Sequence, residues 1–207
     1  MSFKGLNENV LVKAHKSAGV YATILKRRSI RRFQQKQIPF TLLEKLVNAA
    51  RFAPSGANLQ PCEYIIVDQK DLLEKVFSTL KWADYLEEGT PPFGERPTAY
   101  IVLLLNRKIR QKGGQYDLGM AAENIMLTAL EEGIGSCCIG SIDRDRLIKI
   151  LAIPKHCDAE LLIALGYPNE ISIPEDMINS VKYWVDENNI VHVPKRKLSD
   201  VLHKNFY

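Results

Sequence analysis

Residues 41–68 read TLLEKLVNAARFAPSGANLQPCEYIIVD, and the change of pattern along this stretch decides the fold class. Thr41-Leu-Leu-Glu44 has the spacing of a capping box and opens a helix expected to run through about Phe52. Pro54 disfavours helix before it, while Gly56 and Asn58 favour turns, so the helix stops within APSGAN. Glu63 to Asp68 then reads as a buried strand. Helix, tight loop and apolar strand follow one another within 28 residues, which sets the scale of the layers to be packed.

Upstream, Val10, Ala14, Ala18, Tyr21 and Leu25 recur at steps of three and four, predicting an amphipathic helix from Glu8 to about Leu25. Downstream, Asp68-x-x-Asp71 leads into a third helix ending near Trp82, and AYIVLLL from Ala99 is a second strand. Asp117 to Glu132 predicts a long helix rich in small residues. Gly133 caps it before a short strand within GIGSCCIGS, residues 133–141. A helix near Asp143 to Leu151, a strand near Glu160 to Leu165, a hairpin within Val181 to Val193 and a helical tail from Ser199 complete the series. Residues 83–97 are polar and rich in Gly and Pro, which predicts a mobile excursion. Strands alternate with helices but the early helices cluster, so the expectation is an α+β fold in a single domain over residues 1–207.

Bulk properties remove several function classes. The chain is 46% hydrophobic and 25% charged, and 28 cations against 24 anions leave a net charge of +4, too small to predict nucleic-acid binding. The first residues hold no uninterrupted apolar stretch of the secretory kind, and the run Tyr100 to Leu105 is far too short to span a bilayer. Cys62, Cys137, Cys138 and Cys157 form no CxxC pair, and the four histidines show no metal-site spacing. The expectation is a cytoplasmic protein without a structural metal, a nucleic-acid partner or a membrane anchor.

Lys26 to Arg32 read KRRSIRR. Cations at a helix C-terminus complement its macrodipole and need no further role. They also suit a socket for a phosphate monoester, with arginine forks and a serine hydroxyl as donors. A second basic cluster, PKRKL at residues 194–198, would strengthen that reading if the two met in space. Pro54 to Pro61 is an ordinary turn by composition, yet Ser55, Asn58 and Gln60 crowd together just before a strand. Amide side chains can read a ring edge that alternates C=O and N–H. GIGSCCIGS lacks GxGxxG and GxxxxGK[ST] spacing, so neither nucleotide loop is supported. Gly140 would let a backbone N–H approach a ligand, with Ile139 beside it as an apolar surface. No base is indicated for Cys137 or Cys138, which read better as structural thiols.

In order and spacing these pieces resemble the FMN-dependent nitroreductase family: RRSIRRF, TLLEKLVNAARFAPSGANLQPCEYIIV, PTAYIVLL, DLGMAAENIML, EEGIGSCCIGSI, LAIP, LIALGYP and PKRKL. The resemblance runs from Arg27 to about Leu202 and implies a central, mostly antiparallel sheet flanked by helices in an intertwined homodimer. It implies FMN as cofactor, NADH or NADPH as donor, and a small nitroaromatic or quinone acceptor reduced by a ping-pong cycle. By the same resemblance Arg27, Arg28 and Ser29 hold the phosphate and Arg31 approaches the N1/O2 side of the ring. Ile139 and Gly140 face N5, and Pro54, Ser55, Asn58 and Gln60 bound the flavin from the partner subunit. The late basic motif maps onto Lys195, Arg196 and Lys197, with the phosphate contact among them left open. Gly119, Ala121 and Ala122 mark the interface helix, and residues 194–207 extend toward the partner.

The chain departs from the family pattern at Cys62, where an aromatic residue is frequent, and in the short excursion at 83–97. Trp82, Tyr85 and Phe93 either cover the pocket or pack in the core or dimer. Two alternatives stay open: an FMN-sequestering or redox-sensing protein without broad turnover, and a specialised flavin reductase or dehalogenase.

Overall fold

The computed structural model describes residues 19–83 and 85–207. Most of the expected first helix lies outside the described residues; its end is α1, Val20–Lys26. The next helix, α2, spans Phe40–Arg51, but it begins one residue before Thr41, at a Pro39 cap without a side-chain hydrogen bond. The capping-box expectation therefore fails. Proline pre-sets φ for the entry and its carbonyl already accepts from Leu42 N and Leu43 N, so Thr41 is carried inside the helix.

Five strands form an all-antiparallel sheet: β1 (Phe33–Gln34), β2 (Cys62–Val67), β3 (Ala99–Asn106), β4 (Gly135–Ile139) and β5 (Cys157–Pro168). Long β5 pairs with β3 on one side and with both β1 and β4 on the other, and β2 pairs with β3. Every residue of β3 is buried, because helices cover both faces. On one face Ile101, Leu103 and Leu105 pack with Leu43 and Leu46 of α2 and with Leu118, Ala121, Ala122 and Ile125 of α4 (Gln115–Glu131). On the other, Tyr100, Val102 and Leu104 pack with Val76 and Phe77 of α3 (Lys70–Phe77) and Leu147 of α5 (Arg144–Leu151). That two-sided burial is why AYIVLLL shows no polar alternation. It stabilises the fold by about 1.5–3 kcal/mol per fully buried aliphatic side chain.

Two expectations need correction here. Ala121 and Ala122 face this core rather than a partner; the outward stripe of α4 holds Tyr116, Gly119 and Met120. The third helix ends at Phe77, well before Trp82, because the Ser78 and Thr79 hydroxyls donate to the Lys75 and Val76 carbonyls and turn the chain out. Leu80 then bridges to Ile142.

A second, three-stranded sheet follows. The expected hairpin is present as β7 (Trp184–Val185) and β8 (Ile190–Lys195), and β6 (Ile171–Asp176), which the sequence did not reveal, joins β8 in parallel. The tail contains a single 3₁₀ turn, Leu198–Asp200, rather than a longer helix. Among the described residues no helix is long and apolar enough to cross a membrane.

Candidate functional site

The KRRSIRR segment leaves α1 and lies along β4. Ser29 forms a parallel bridge with Ser136, and Ile30 N donates to Ser136 O at 2.9 Å. Two glycines permit the approach: a Cβ on Gly135 would come within 2.9 Å of Ile30, and one on Gly166 within 2.7 Å of Phe33. The arginines then separate. Arg27 Nε meets Glu123 of α4 at 3.2 Å. Arg28 folds back to donate to the Leu25 and Arg27 carbonyls, satisfying the end of α1. Arg31 stacks its guanidinium 4.7 Å from the Tyr183 ring, while its backbone N–H donates to Glu170. Arg32 Nη1 binds Glu95 at 2.7 Å and ties the excursion down. Burial raises the Glu170 carboxyl above the usual carboxylate range, and the Arg31 N–H works against that rise.

At the far end of β4, Ile139 is only 6% exposed and packs in the core, whereas Cys138 and Gly140 are exposed. Strand alternation sends Cys137 and Ile139 to the same inner face. Ile139 thus offers its backbone and not an apolar surface, which corrects that expectation. Burial pushes the Cys137 thiol up, and Cys138, though exposed as a residue, is raised to about 11 by desolvation of its sulfur and by the neighbouring Cys137 and Glu123, so neither is a thiolate at neutral pH.

The Pro54–Gln60 loop lies across the sheet. It enters β2, three inter-strand steps from β4, or about 14 Å at the usual strand spacing. Ala57, Asn58 and Gln60 all adopt positive φ, 53°, 53° and 52°. Ser55 Oγ accepts from Gln60 N at 3.0 Å, and Gly56 N donates to Asp117 Oδ1 at 3.1 Å. Asn58 and Gln60 are exposed. Lys195, Arg196 and Lys197 are exposed at the end of β8, where Lys195 faces Asp176 in register and Arg196 donates to Asp200 O. The ladder places them five residues from Ile171, the end of β6 nearest KRRSIRR, or roughly 17 Å along the strand. The Arg196 side chain thus finds its partner in the Asp200 carbonyl and not in KRRSIRR.

A cavity of about 700 Å³ opens beside Arg31 and Arg32, walled by Leu86 to Gly89 of the excursion, by Glu170 and by Val185 and Val191 of the second sheet. Tyr85 packs on Tyr183 at 5.1 Å between centroids, joining excursion and second sheet above Arg31. Trp82 is a core residue against Phe77, and Phe93 is 82% exposed.

These donors suit a flavin mononucleotide in two halves. Among the described residues the Ser29 hydroxyl and the Gly140 N–H have no hydrogen-bond partner, and Arg27 and Arg31 add cations at intervals along the same strand. The exposed amides of Asn58 and Gln60, at the opposite edge of the sheet, carry the paired donor and acceptor groups that a ring edge alternating C=O and N–H calls for. Glu123, Glu170 and Tyr183 escaped sequence reading, because only the fold brings them to this segment.

Residues 24–167 match the model of the nitroreductase family. The chain is 32% identical over 182 residues to an NADH dehydrogenase of Thermus thermophilus, covering 72% of this chain and 87% of that protein. It is 33% identical over 206 residues to an iodotyrosine deiodinase of Nematostella vectensis, covering 90% and 75% respectively. Among solved structures, an FMN-dependent nitroreductase of Clostridium difficile shares the fold with a TM-score of 0.63 at 24% identity, over 89% of this chain and 98% of that one.

Proposed function

The chain belongs to the nitroreductase family, and from that premise we propose that it is an FMN-dependent oxidoreductase that draws electrons from NADH or NADPH and passes them to a small acceptor in a ping-pong cycle. The observation that carries this reading is the docking of Ser29 on Ser136, which sets the segment of Arg27, Ser29 and Arg31 beside β4, the strand that leads to Gly140. Arg27 and Ser29 bind the phosphate as charge-assisted and hydroxyl donors. Arg31 would hold a fixed cation beside the flavin ring and so favour its reduced, negatively charged form. The Gly140 N–H would hold the flavin ring from one chain, and Asn58 and Gln60 of a second copy would hold it from the other. The bound FMN supplies the hydride and electron chemistry, so the protein contributes binding, orientation and charge. Arg28 serves α1 rather than the phosphate in this assignment, and the late basic residues reach a phosphate only across the dimer. Membrane and nucleic acid have no role in the cycle, which runs in the cytoplasm.

Purified protein is expected to be yellow and to bleach anaerobically when NADH or NADPH is added. Quinones or nitroaromatics are expected to restore the oxidised spectrum. Protein that stays colourless after reconstitution with FMN sinks the reading. Bleaching that no acceptor reverses favours a sequestering or sensing protein. The deiodinase relative supports a second reading, reductive dehalogenation, which halide release from a halogenated phenol would distinguish.

A further inference from the structure

We infer that Arg110 and Asp117 form a positioning device that holds the Pro54–Gln60 loop in its flavin-ready shape, so that they govern flavin affinity without touching the flavin. The inference rests on the reading above. Asp117 lies in the first turn of α4, and its side chain is only 5% exposed. Neither carboxylate oxygen is spent on the helix end, whose Gly114 cap has no side-chain hydrogen bond. Oδ1 accepts from Gly56 N at 3.1 Å, and Oδ2 accepts from Arg110 Nη1 at 2.7 Å. Arg110 Nε also donates to Lys112 O at 3.2 Å, fixing the guanidinium to the β3–α4 connection. A Cβ at Gly56 would come within 2.7 Å of Arg110 Nη1, so a larger residue there would push the guanidinium away from its place beside Asp117.

The loop needs such an anchor. Ala57, Asn58 and Gln60 occupy the left-handed region that L-residues avoid, and such a conformation persists only when its surroundings over-determine it. Within the loop, Ser55 Oγ and Asn58 O take up Gln60 N and Gln60 Nε2. Rigidity alone would be an ordinary structural finding. Here the strain is spent on presenting exposed amides, and pre-organised donors bind with less ordering cost.

The test measures dissociation constants for both FMN and riboflavin, together with exchange of the Gly56 amide proton in flavin-free protein. Asp117→Ala is expected to weaken both ligands equally, by about 10- to 100-fold for one or two charge-assisted hydrogen bonds, and to release the Gly56 proton. Asp117→Asn keeps an acceptor for Gly56 and should lose less, and Arg110→Lys should largely rescue. Arg27→Ala should weaken FMN while sparing riboflavin. Should Asp117→Ala not fold, Gly56→Ala, in an exposed loop, disturbs the same contact and should weaken both ligands. Variants that release the Gly56 proton yet keep flavin affinity within twofold would reduce the pair to a structural tie. Retained Gly56 protection in Asp117→Ala would also overturn the inference. Wild-type protein that binds neither flavin defeats the functional reading itself, a result separate from any variant.

Discussion

Arg27, Arg28, Arg31 and Arg32 share one charge and one short segment, yet they end on a carboxylate, on helix carbonyls, on an aromatic ring and on the excursion. Their separation has measurable consequences. Arg27→Ala should lower FMN affinity about 10- to 100-fold while leaving riboflavin binding unchanged, read by quenching of flavin fluorescence. Arg28→Ala should cost about 1 kcal/mol of stability through the lost helix end, read by chemical denaturation, and leave FMN affinity within twofold. The residue types at this site were legible in the sequence, because arginine and serine beside a helix end suggest either capping or anion binding. Which arginine does which was not legible. That choice depends on Glu123, 96 positions away from Arg27, and on Tyr183, 152 away from Arg31.

Elements were read best where one local pattern decided them and least well where a distant neighbour did. β3 and α4 agree with their apolar runs because burial on the core determines both. β1 is two residues long and exists through its pairing with Pro168 and Tyr167, and β6 exists through β8, so neither has a strong pattern of its own. The close contact at Gly166 follows from that pairing. Gly166→Ala would drive a methyl against fully buried Phe33 and should destabilise by about 1–3 kcal/mol, read by urea denaturation. The second sheet has its own staple: His192 lies 2.9 Å from Glu175 and 3.4 Å from Asp186 and stacks on Trp184 at 4.1 Å. Desolvation pulls the imidazole pKa down, but the hydrogen bonds and charges of Glu175 and Asp186 outweigh it and leave the pKa above the ordinary 6.5. Its stabilising contribution is therefore complete below about 6.5 and lost as pH rises through the raised value. Both carboxyls are held low, Glu175 chiefly by the Trp184 N–H and Asp186 chiefly by the Ile190 N–H, so their contribution fades only as pH falls through those depressed values. The protection of the Val191 amide, taken relative to its intrinsic base-catalysed exchange, should fall on the alkaline side in wild type, and His192→Asn should flatten that dependence.

For the whole molecule, the two halves of the proposed site lie at different edges of one sheet, β4 and β2, and the proposed dimer closes them across chains. Co-expressed Arg27→Ala and Asn58→Ala chains provide the check. If each site combines the segment of one chain with the loop of the other, the mixed dimer regains one intact site and about half the flavin-binding capacity. If each chain is self-sufficient, both sites remain damaged and no capacity returns. The sequence by itself determined the order of the longer helices and strands, the apolar run that became β3, the punctuation at APSGAN and the family likeness. All of these depend on local periodicity, turn chemistry and motif order, which neighbouring residues in the chain suffice to express. Only the tertiary structure decided the joining of β6 to the late hairpin, the inward turn of Ile139, the separate fates of the arginines and the anchoring of Gly56 by Asp117. Each of those depends on a partner distant in sequence, and a partner brought close by packing leaves no periodic trace in the chain that meets it.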